Sequence, residues 1–290
     1  MITTRLKGGL GNQMFQYALG RHLAIKKGTT LKLDISDLIG TNEHLESTIR
    51  NYELNNFNII EKISSDDEVF FTRQNKNKFL KIFKKIIPYH LRSVVCEKNL
   101  LYDEKILNID GNINNKYLIG YWQTELYFKE IRDQLLKDFS PKNEISDVVI
   151  KISNKIKEGE SVSLHIRRGD YVNRYSNLYY VQNVDYYLNA LELIKNTHPN
   201  CKVFVFSDDI QWCESNLNFK TETYFVKPNK SFEDIYLMSL CKHNVIANSS
   251  FSWWGAWLNN NPDKICIAPK YWFKDKSKKN NIIPKEWVIL

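Results

Sequence analysis

The chain has 290 residues, of which 43% are apolar and 13% aromatic, and it carries 41 Lys and Arg against 33 Asp and Glu. This composition excludes a disordered or fibrous protein, and the length favours two compact domains over a single core of roughly 100–200 residues. The net charge of +8 favours an anionic partner without distinguishing a nucleotide from nucleic acid or an acidic membrane.

Membrane spans, signal peptides and cysteine-rich sites are not indicated. No run reaches the roughly 18–20 apolar residues of a membrane span, and the first residues lack the apolar core of a signal peptide, which predicts a cytoplasmic protein. The cysteines are scattered and never form a C-x-x-C pair, so free thiols in a reducing compartment are expected rather than zinc ligands or disulfides. They are Cys96, Cys201, Cys213, Cys241 and Cys266.

The chain opens with a pattern typical of one βαβ unit. Ile2–Leu6 reads as a strand, Lys7–Asn12 as a glycine-rich turn, Gln13–Lys26 as a helix and Thr30–Asp34 as the next strand. The broad apolar face of the helix predicts that it packs on a parallel sheet.

A dinucleotide-dependent oxidoreductase is one interpretation of this opening. Gly9-x-Gly11 follows a strand, and Asp34 ends the next strand about 20 residues further on, where a ribose-binding acid is expected. The third glycine position, however, holds Met14, whose side chain opposes close packing of helix on strand. The interpretation is therefore disfavoured.

The middle of the chain, from Gly40 to Asn115, gives weak signals. Its clearest feature is a basic amphipathic helix over Lys76–Arg92. Such a helix usually packs one face on a core and leaves the other in solvent, and the alternative is peripheral attachment to an anionic membrane.

Regular patterns return at Tyr117–Trp122, which reads as a buried strand, and at Thr124–Phe139, which reads as a helix. The polar stretch Pro141–Glu160 follows and contains the predicted boundary. The sequence thus predicts an amino-terminal domain over 1–150 and a carboxy-terminal domain over 151–290.

The second domain alternates strands with helices, which implies an α/β fold with a doubly wound parallel sheet. Ligands of such sheets bind beyond the carboxyl ends of the strands. The predicted elements are Val162–Ile166, Val184–Ile194, Val203–Phe206, Tyr224–Val226, Phe232–Cys241, Val245–Ala247, Phe251–Leu258 and Ile265–Ala268.

Two adjacent arginines follow the first of these strands. Arg167 and Arg168 precede Gly169 and Asp170, so two planar guanidiniums stand where phosphate oxygens could be bound. The alternative is an Arg–Asp salt bridge that merely closes the strand. Two neighbouring cations favour a pair of phosphates.

Two further acidic clusters lie at predicted helix starts. Ser207 and Asp208 could bind a nucleoside or cap the helix that begins near Ile210. Ser231 and Asp234, three residues apart, predict a capping box. A carboxylate at Asp234 could instead accept two hydrogen bonds from guanine.

A strand-to-helix junction at Asn248–Ser252 combines small hydroxyl side chains with the free N–H groups of a helix start, which is typical of an anion site. The tryptophans that follow, Trp253, Trp254 and Trp257, are spaced for burial in a core rather than for stacking on a sugar.

Five short segments, spread over almost the whole chain, combine these features. They are GGLGNQMFQY at Gly8–Tyr17, GYWQ at Gly120–Gln123, HIRRGD at His165–Asp170, SDD at Ser207–Asp209 and NSSFSWW at Asn248–Trp254. Together they resemble the alpha-1,2-fucosyltransferases, glycosyltransferase family 11.

The resemblance implies a GT-B-like fold, in which two Rossmann-like domains face a cleft. It also implies transfer of L-fucose from GDP-fucose, with inversion, to the 2-hydroxyl of a galactose-terminated glycan, and no nucleic-acid partner. Arg168 would hold the β-phosphate, His165 the ribose region and Asp234 the guanine, while Ser249 and Ser250 would hold the phosphates. The other donor-binding residues would be Gly9, Asn12, Arg167, Ser207, Asp208, Asn248 and Phe251.

The chemistry of transfer suggests roles for two of these positions. Arg168 would stabilise the charge that develops on the departing diphosphate. Asp170 is the candidate general base, or else it orients a guanidinium. No two aspartates are separated by one residue, so the Asp-x-Asp triplet of metal-dependent glycosyltransferases is missing, which predicts catalysis without a metal or other cofactor.

Overall fold

The computed structural model describes residues 1–38, 50–65, 92–109, 115–227 and 230–290. Almost all of the basic stretch predicted as an amphipathic helix lies outside these residues, so its contact with a membrane stays a prediction. No helix among the described residues has the length and apolar character needed to cross a bilayer.

The chain forms two compact units. The first comprises Met1–Ser140 with Asn280–Ile282, and the second comprises Pro141–Lys279 with Ile283–Leu290. Each contains an all-parallel sheet, which confirms the predicted α/β class with two Rossmann-like units, the composition of the GT-B fold.

The sheet of the first unit has the strand order β2-β1-β4-β3. Its strands are β1 (Ile2–Arg5), β2 (Leu31–Asp34), β3 (Val94–Cys96) and β4 (Lys116–Ile119). Helix α1 (Leu10–Lys26) connects β1 to β2, as predicted. It begins three residues earlier than expected, with Gly9 as its N-cap, so the second half of the predicted turn, Leu10–Asn12, lies inside the first turn of the helix.

The continuous helix predicted over Thr124–Phe139 is wrong. The segment contains the 3₁₀ turns Glu125–Tyr127 and Lys129–Ile131, and only Arg132–Asp138 forms an α-helix, α2. Phe128, buried between the two turns, has an extended φ of −151°, which interrupts the helical backbone.

Among the described residues, the sheet of the second unit has six strands in the order β10-β9-β8-β5-β6-β7. They are β5 (Ser161–Ile166), β6 (Lys202–Ser207), β7 (Thr223–Phe225), β8 (His243–Val245), β9 (Cys266–Ala268) and β10 (Val288–Ile289). The central strand β5 is buried along its whole length, as expected for a strand covered on both faces.

In the part of the second unit that the structure describes, six α-helices accompany the sheet. They are α3 (Asp147–Lys157), α4 (Gly169–Asn173), α5 (Val184–Lys195), α6 (Ile210–Asn216), α7 (Ser231–Leu240) and α8 (Ser250–Leu258). Trp253, Trp254 and Trp257 of α8 are buried, which confirms that these tryptophans form core rather than an open platform.

Candidate functional site

Three of the predicted motifs meet at one edge of the second sheet. Strand β5 pairs with β6 on one side and with β8 on the other, all parallel. The carboxyl ends of these strands and the segments that follow them carry Arg167 and Arg168, Ser207 and Asp208, and Asn248 to Ser250. Because the carboxyl ends of adjacent parallel strands lie side by side, the topology brings the motifs together.

Arg167 is held by two carboxylates of this edge. Its guanidinium donates to Asp170 Oδ1 at 2.7 Å and lies 3.1 Å from Asp208 Oδ2. Burial lowers the pKa of Arg167, but Asp208 and Asp170 more than offset this, so the pKa is raised and the guanidinium stays charged. The salt-bridge interpretation of the motif is therefore correct for Arg167.

Arg168 is arranged differently. Its Nε donates to Asp209 Oδ2 at 3.3 Å, and its guanidinium carbon lies 3.7 Å from the centre of the Trp212 ring. Within the described part of the chain, its two terminal nitrogens have no hydrogen-bond partner. These nitrogens are available to an anion.

Asp208 organises the turn that follows β5. Its Oδ1 accepts a hydrogen bond from the backbone N–H of Arg168 at 2.9 Å, and its Oδ2 faces Gly169. A Cβ at position 169 would lie 2.5 Å from that oxygen, so only glycine fits. Ser207 Oγ accepts from Asp209 N at 3.0 Å. Both predicted nucleoside-binding side chains thus have internal partners.

His165 is a buried polar residue of the site. Burial, and then the charge of Arg167, lower the pKa of His165 to about 3, so the imidazole is neutral. Its ring lies 5.5 Å from that of Phe251, and its Nδ1 is buried without a hydrogen-bond partner among the described residues. Unpaired buried polar atoms are rare in native proteins, and a bound ligand is one explanation.

Helix α8 begins at the same edge. Ser249 is its N-cap, and its Oγ accepts from Phe251 N at 3.3 Å. The backbone N–H groups of Ser250 and Ser252 have no hydrogen-bond partner in the described structure, as is usual for the first turn of a helix. These N–H groups can bind an anion.

Asn248 has a structural role. Its Nδ2 donates to the carbonyl oxygens of Tyr180 at 2.8 Å and Trp272 at 2.7 Å, and its own carbonyl accepts from Tyr171 Oη at 3.0 Å. The side chain is buried and ties three segments together. Asn248 therefore positions the junction between β8 and α8, and its side chain does not face an open site.

The predicted capping box of Ser231 and Asp234 is wrong. Helix α7 has Lys230 as its N-cap, and Glu233 Oε2 accepts from the Lys230 backbone N–H at 3.2 Å. Glu233 is buried, and its other oxygen accepts from Ser146 N at 3.1 Å. Asp234 lies in the first turn of α7, beyond the carboxyl end of β7.

The charge balance of the β5 edge limits which groups can attract an anion. Two guanidiniums, of Arg167 and Arg168, face the carboxylates of Asp170, Asp208 and Asp209, so these five side chains carry a formal charge of −1. The attraction for a diphosphate must therefore come from the terminal nitrogens of Arg168 and from the start of α8.

The glycine-rich turn of the first unit is built around buried amides. Gly8 has a φ of +79°, and a Cβ there would lie 2.6 Å from Asn12 Nδ2. Asn12 Oδ1 accepts from Gln123 Nε2 at 2.8 Å, which joins the first two sequence motifs. Gly9 has open space around its Cα, and Gln13 Nε2 holds the turn through Gly8 O at 2.9 Å.

The oxidoreductase interpretation is not supported by this turn. The carboxylate of Asp34 is buried and accepts hydrogen bonds from Tyr117 Oη and Ser36 N, so it does not face a ribose site. Met14 is fully buried at the position that should hold a glycine.

The family model for glycosyl transferase family 11 matches residues 1–290. The chain belongs to this family. It is 34% identical to an alpha-1,2-colitosyltransferase of Escherichia coli, over 99% of this chain and 98% of the relative. It is also 34% identical to the O-antigen biosynthesis glycosyltransferase WbnK of Escherichia coli, over 98% of this chain and 99% of the relative. A galactoside 2-alpha-L-fucosyltransferase, Sec1 of Mus musculus, is 25% identical over 92% of this chain and 67% of the relative.

Sequence reasoning missed two groups in the first unit of this family 11 glycosyltransferase. Trp122 is buried at a φ of 58°, which is unusual for a bulky residue, and its Nε1 has no hydrogen-bond partner among the described residues. Glu97 accepts from the backbone N–H groups of Tyr121 at 2.8 Å and Trp122 at 2.9 Å. Burial raises the pKa of Glu97 despite these hydrogen bonds.

Glu160, His198 and His243 form a cluster at the amino-terminal edge of the second unit's sheet, opposite the edge described above. His243 Nδ1 accepts from Ile265 N at 3.0 Å, so the neutral ring carries its proton on Nε2, which lies 3.2 Å from Glu160 Oε2. A proton on Nε2 opposes metal ligation by that atom, and the cluster is explained by hydrogen bonding.

Proposed function

We propose that the protein transfers L-fucose from GDP-fucose to the 2-hydroxyl of a galactose-terminated glycan, with inversion and without a metal ion. The observation that carries this proposal is the group of unpaired donors at one sheet edge. Arg168 offers two terminal nitrogens, and α8 offers the N–H groups of Ser250 and Ser252. His165, whose ring lies 5.5 Å from that of Phe251, adds a buried Nδ1 that has no hydrogen-bond partner among the described residues.

These groups suit the departure of a nucleoside diphosphate. As the bond between the sugar and the diphosphate breaks, negative charge develops on the leaving phosphate, and fixed hydrogen-bond donors stabilise it. Arg168 is kept in place by Asp209 and Trp212, so its terminal nitrogens do not need to be reorganised during the reaction.

The acceptor hydroxyl needs a general base. In the proposed step the 2-hydroxyl oxygen attacks the anomeric carbon, the bond to the phosphate oxygen breaks, GDP leaves, and a carboxylate takes the hydroxyl proton. Asp170 was the sequence-based candidate, but its Oδ1 is 2.7 Å from Arg167 Nη2. That ion pair favours the orienting role for Asp170, and a carboxylate other than Asp170 is then the better base.

The named relatives support the linkage and leave two donor sugars in question. The Sec1 relative is named as a galactoside 2-alpha-L-fucosyltransferase, which supports fucose and galactose. One of the two relatives that are 34% identical is named as an alpha-1,2-colitosyltransferase, so transfer of colitose is the second candidate. The name of the colitosyltransferase gives an alpha-1,2 linkage, and the name of the fucosyltransferase gives an alpha linkage to the 2-position.

The decisive experiment follows GDP release. The purified protein is incubated with GDP-fucose or GDP-colitose and a panel of galactosides, and the product linkage and anomeric configuration are read by NMR. Release of GDP that requires a galactoside and yields an alpha-1,2 product supports the proposal. Turnover with GDP-colitose alone selects the second candidate.

Controls separate this site from nonspecific effects of charge. Lys285→Ala removes one exposed cation of the same unit and should leave turnover unchanged, whereas Arg168→Ala should abolish it. Absence of GDP binding in calorimetry would contradict the proposal for either sugar.

A further inference from the structure

The second unit contains a pocket whose lining includes none of the residues proposed to bind the donor. Its volume is about 290 Å³, at the lower end of the range of roughly 300–1,000 Å³ found for ligand sites. The lining residues that matter for its chemistry are Tyr180, Asn183, Asp185, Asn189, Lys270 and Tyr271.

The pocket lies at the same sheet edge as Arg168. Helix α5, which contributes one wall, begins at this edge, and the opposite wall follows the carboxyl end of β9. Asn248 links the two walls to the start of α8, since its Nδ2 donates to Tyr180 O and to Trp272 O, next to Tyr271. Gln182 Nε2 adds a hydrogen bond to Tyr271 O at 3.2 Å.

The aromatic rings of Tyr180 and Tyr271 line the pocket together with Tyr186 and Leu290, and Lys276 Nζ lies 4.5 Å from the centre of the Tyr271 ring. The ring centres of Tyr180 and Tyr271 are 6.2 Å apart with an angle of 52° between their planes, and both side chains are partly exposed. An aromatic ring that is only partly covered offers apolar surface beside a polar hydroxyl. Such surface fits the C–H face of a pyranose.

Unpaired polar groups surround these rings. In the described structure, the carboxylate of Asp185, the amide of Asn189 and the Nδ2 of Asn183 have no hydrogen-bond partner, although Asn183 Oδ1 accepts from Tyr186 N. Amides and a carboxylate can donate to and accept from sugar hydroxyls. Asp185 and Lys270 carry opposite charges, which disfavours an anionic ligand.

We propose that this pocket binds one neutral pyranose ring of the glycan acceptor. The inference rests on the proposed function, because it places the acceptor beside the edge where the donor diphosphate would lie. The volume suits a single sugar ring rather than a nucleotide, and the ligand would be recognised by two tyrosine rings and by the polar face of α5.

The test is direct binding of a galactose-terminated tetrasaccharide, measured by calorimetry in the presence of GDP. Tyr271→Ala should weaken the tetrasaccharide Kd about tenfold, because it removes one stacking surface. Tyr271→Phe should keep the Kd within about twofold. Asn189→Ala, at an exposed helical position where alanine is well tolerated, should weaken the Kd severalfold without disturbing folding.

The matched control is Tyr224→Ala, which removes a tyrosine from the opposite edge strand β7 and should leave the tetrasaccharide Kd unchanged. The inference is overturned if the wild type does not bind the tetrasaccharide, or if Tyr271→Ala and Asn189→Ala both bind it as the wild type does. If binding depends on Tyr271 but neither GDP-sugar is consumed, the proposed function fails while the pocket assignment stands.

Discussion

The guanidinium of Arg168 lies 3.7 Å from the centre of the Trp212 ring, and one residue, Asp209, fixes both partners. Asp209 Oδ2 accepts from Arg168 Nε, while its Oδ1 accepts from Trp212 N and thereby caps helix α6. The arginine is therefore held in place before any ligand arrives, and in the described part of the chain its two terminal nitrogens keep no hydrogen-bond partner.

Trp212→Leu should weaken GDP binding by about 2- to 30-fold, because a cation–π contact contributes roughly 0.5–2 kcal/mol. Isothermal calorimetry with GDP measures the change. Trp212→Phe keeps an aromatic face and should bind almost as the wild type does. Equal affinity in Trp212→Leu and wild type would show that the ring does not position Arg168.

Arg168→Lys should lower kcat by roughly 100- to 1,000-fold, the usual cost of removing one donor to a developing charge. Lysine keeps the positive charge but has no planar fork to place two N–H groups on phosphate oxygens. Steady-state assays of GDP release give the measurement. A rate near that of the wild type would remove Arg168 from the mechanism.

Gly169→Ala should reduce kcat/KM by about tenfold or more, since its Cβ would lie 2.5 Å from Asp208 Oδ2 and displace the carboxylate that holds Arg167 and the Arg168 backbone. Gly159→Ala is the matched control, because a Cβ there meets nothing within 4 Å. Similar kinetics in the two variants would contradict the role assigned to Asp208.

The buried His165 predicts a pH-dependent stability. Its pKa is about 3 in the folded protein and near 6.5 when unfolded, so between these values the unfolded chain binds more protons. The free energy of unfolding should therefore fall as the pH drops below about 6.5, by up to about 1.4 kcal/mol per pH unit from this residue.

Urea unfolding at pH 7 and pH 5.5 checks this expectation. His243, whose pKa is also lowered, mainly by burial, contributes a slope of the same sign. His165→Asn should reduce the slope but leave part of it. An unchanged slope in that variant would mean that His165 does not stay neutral in the folded state.

Activity should survive an excess of chelator, because the sequence lacks an Asp-x-Asp triplet. The measurement is GDP release with and without EDTA, followed by addition of Mg²⁺ or Mn²⁺. Loss of activity that either ion restores would contradict metal-independent catalysis.

The sequence predicted much of the second unit because its strands are short apolar runs separated by periodic helices. Residues after β5, β6 and β8 could be placed at one edge from the alternation of elements alone. Sequence spacing could not show which guanidinium is occupied. Arg167 and Arg168 are neighbours in sequence, yet only Arg167 is bound by two carboxylates.

Other features depended on contacts that no local pattern reveals. The sequence predicts a cap of helix α7 by Ser231 and Asp234. In the structure Glu233 accepts the hydrogen bond from the N-cap backbone, and its other oxygen accepts from Ser146 N, 87 residues away in sequence. The contact of Trp212 with Arg168 could not be predicted, because a single tryptophan in a helical pattern is typical of a core residue. The interrupted helix around Phe128 escaped prediction because tertiary packing overrode its helical propensity.

The double ion pair of Arg167 has a consequence for the energetics of ligand capture. A side chain already immobilised by Asp170 and Asp208 has little rotational freedom left to lose, so a nucleotide that reaches this edge incurs a smaller ordering cost there. The affinity for the nucleotide can then depend on the hydrogen-bond donors that have no internal partner, which are the terminal nitrogens of Arg168 and the N–H groups at the start of α8. The surrounding carboxylates repel an anion that is too small to contact all of these donors at once.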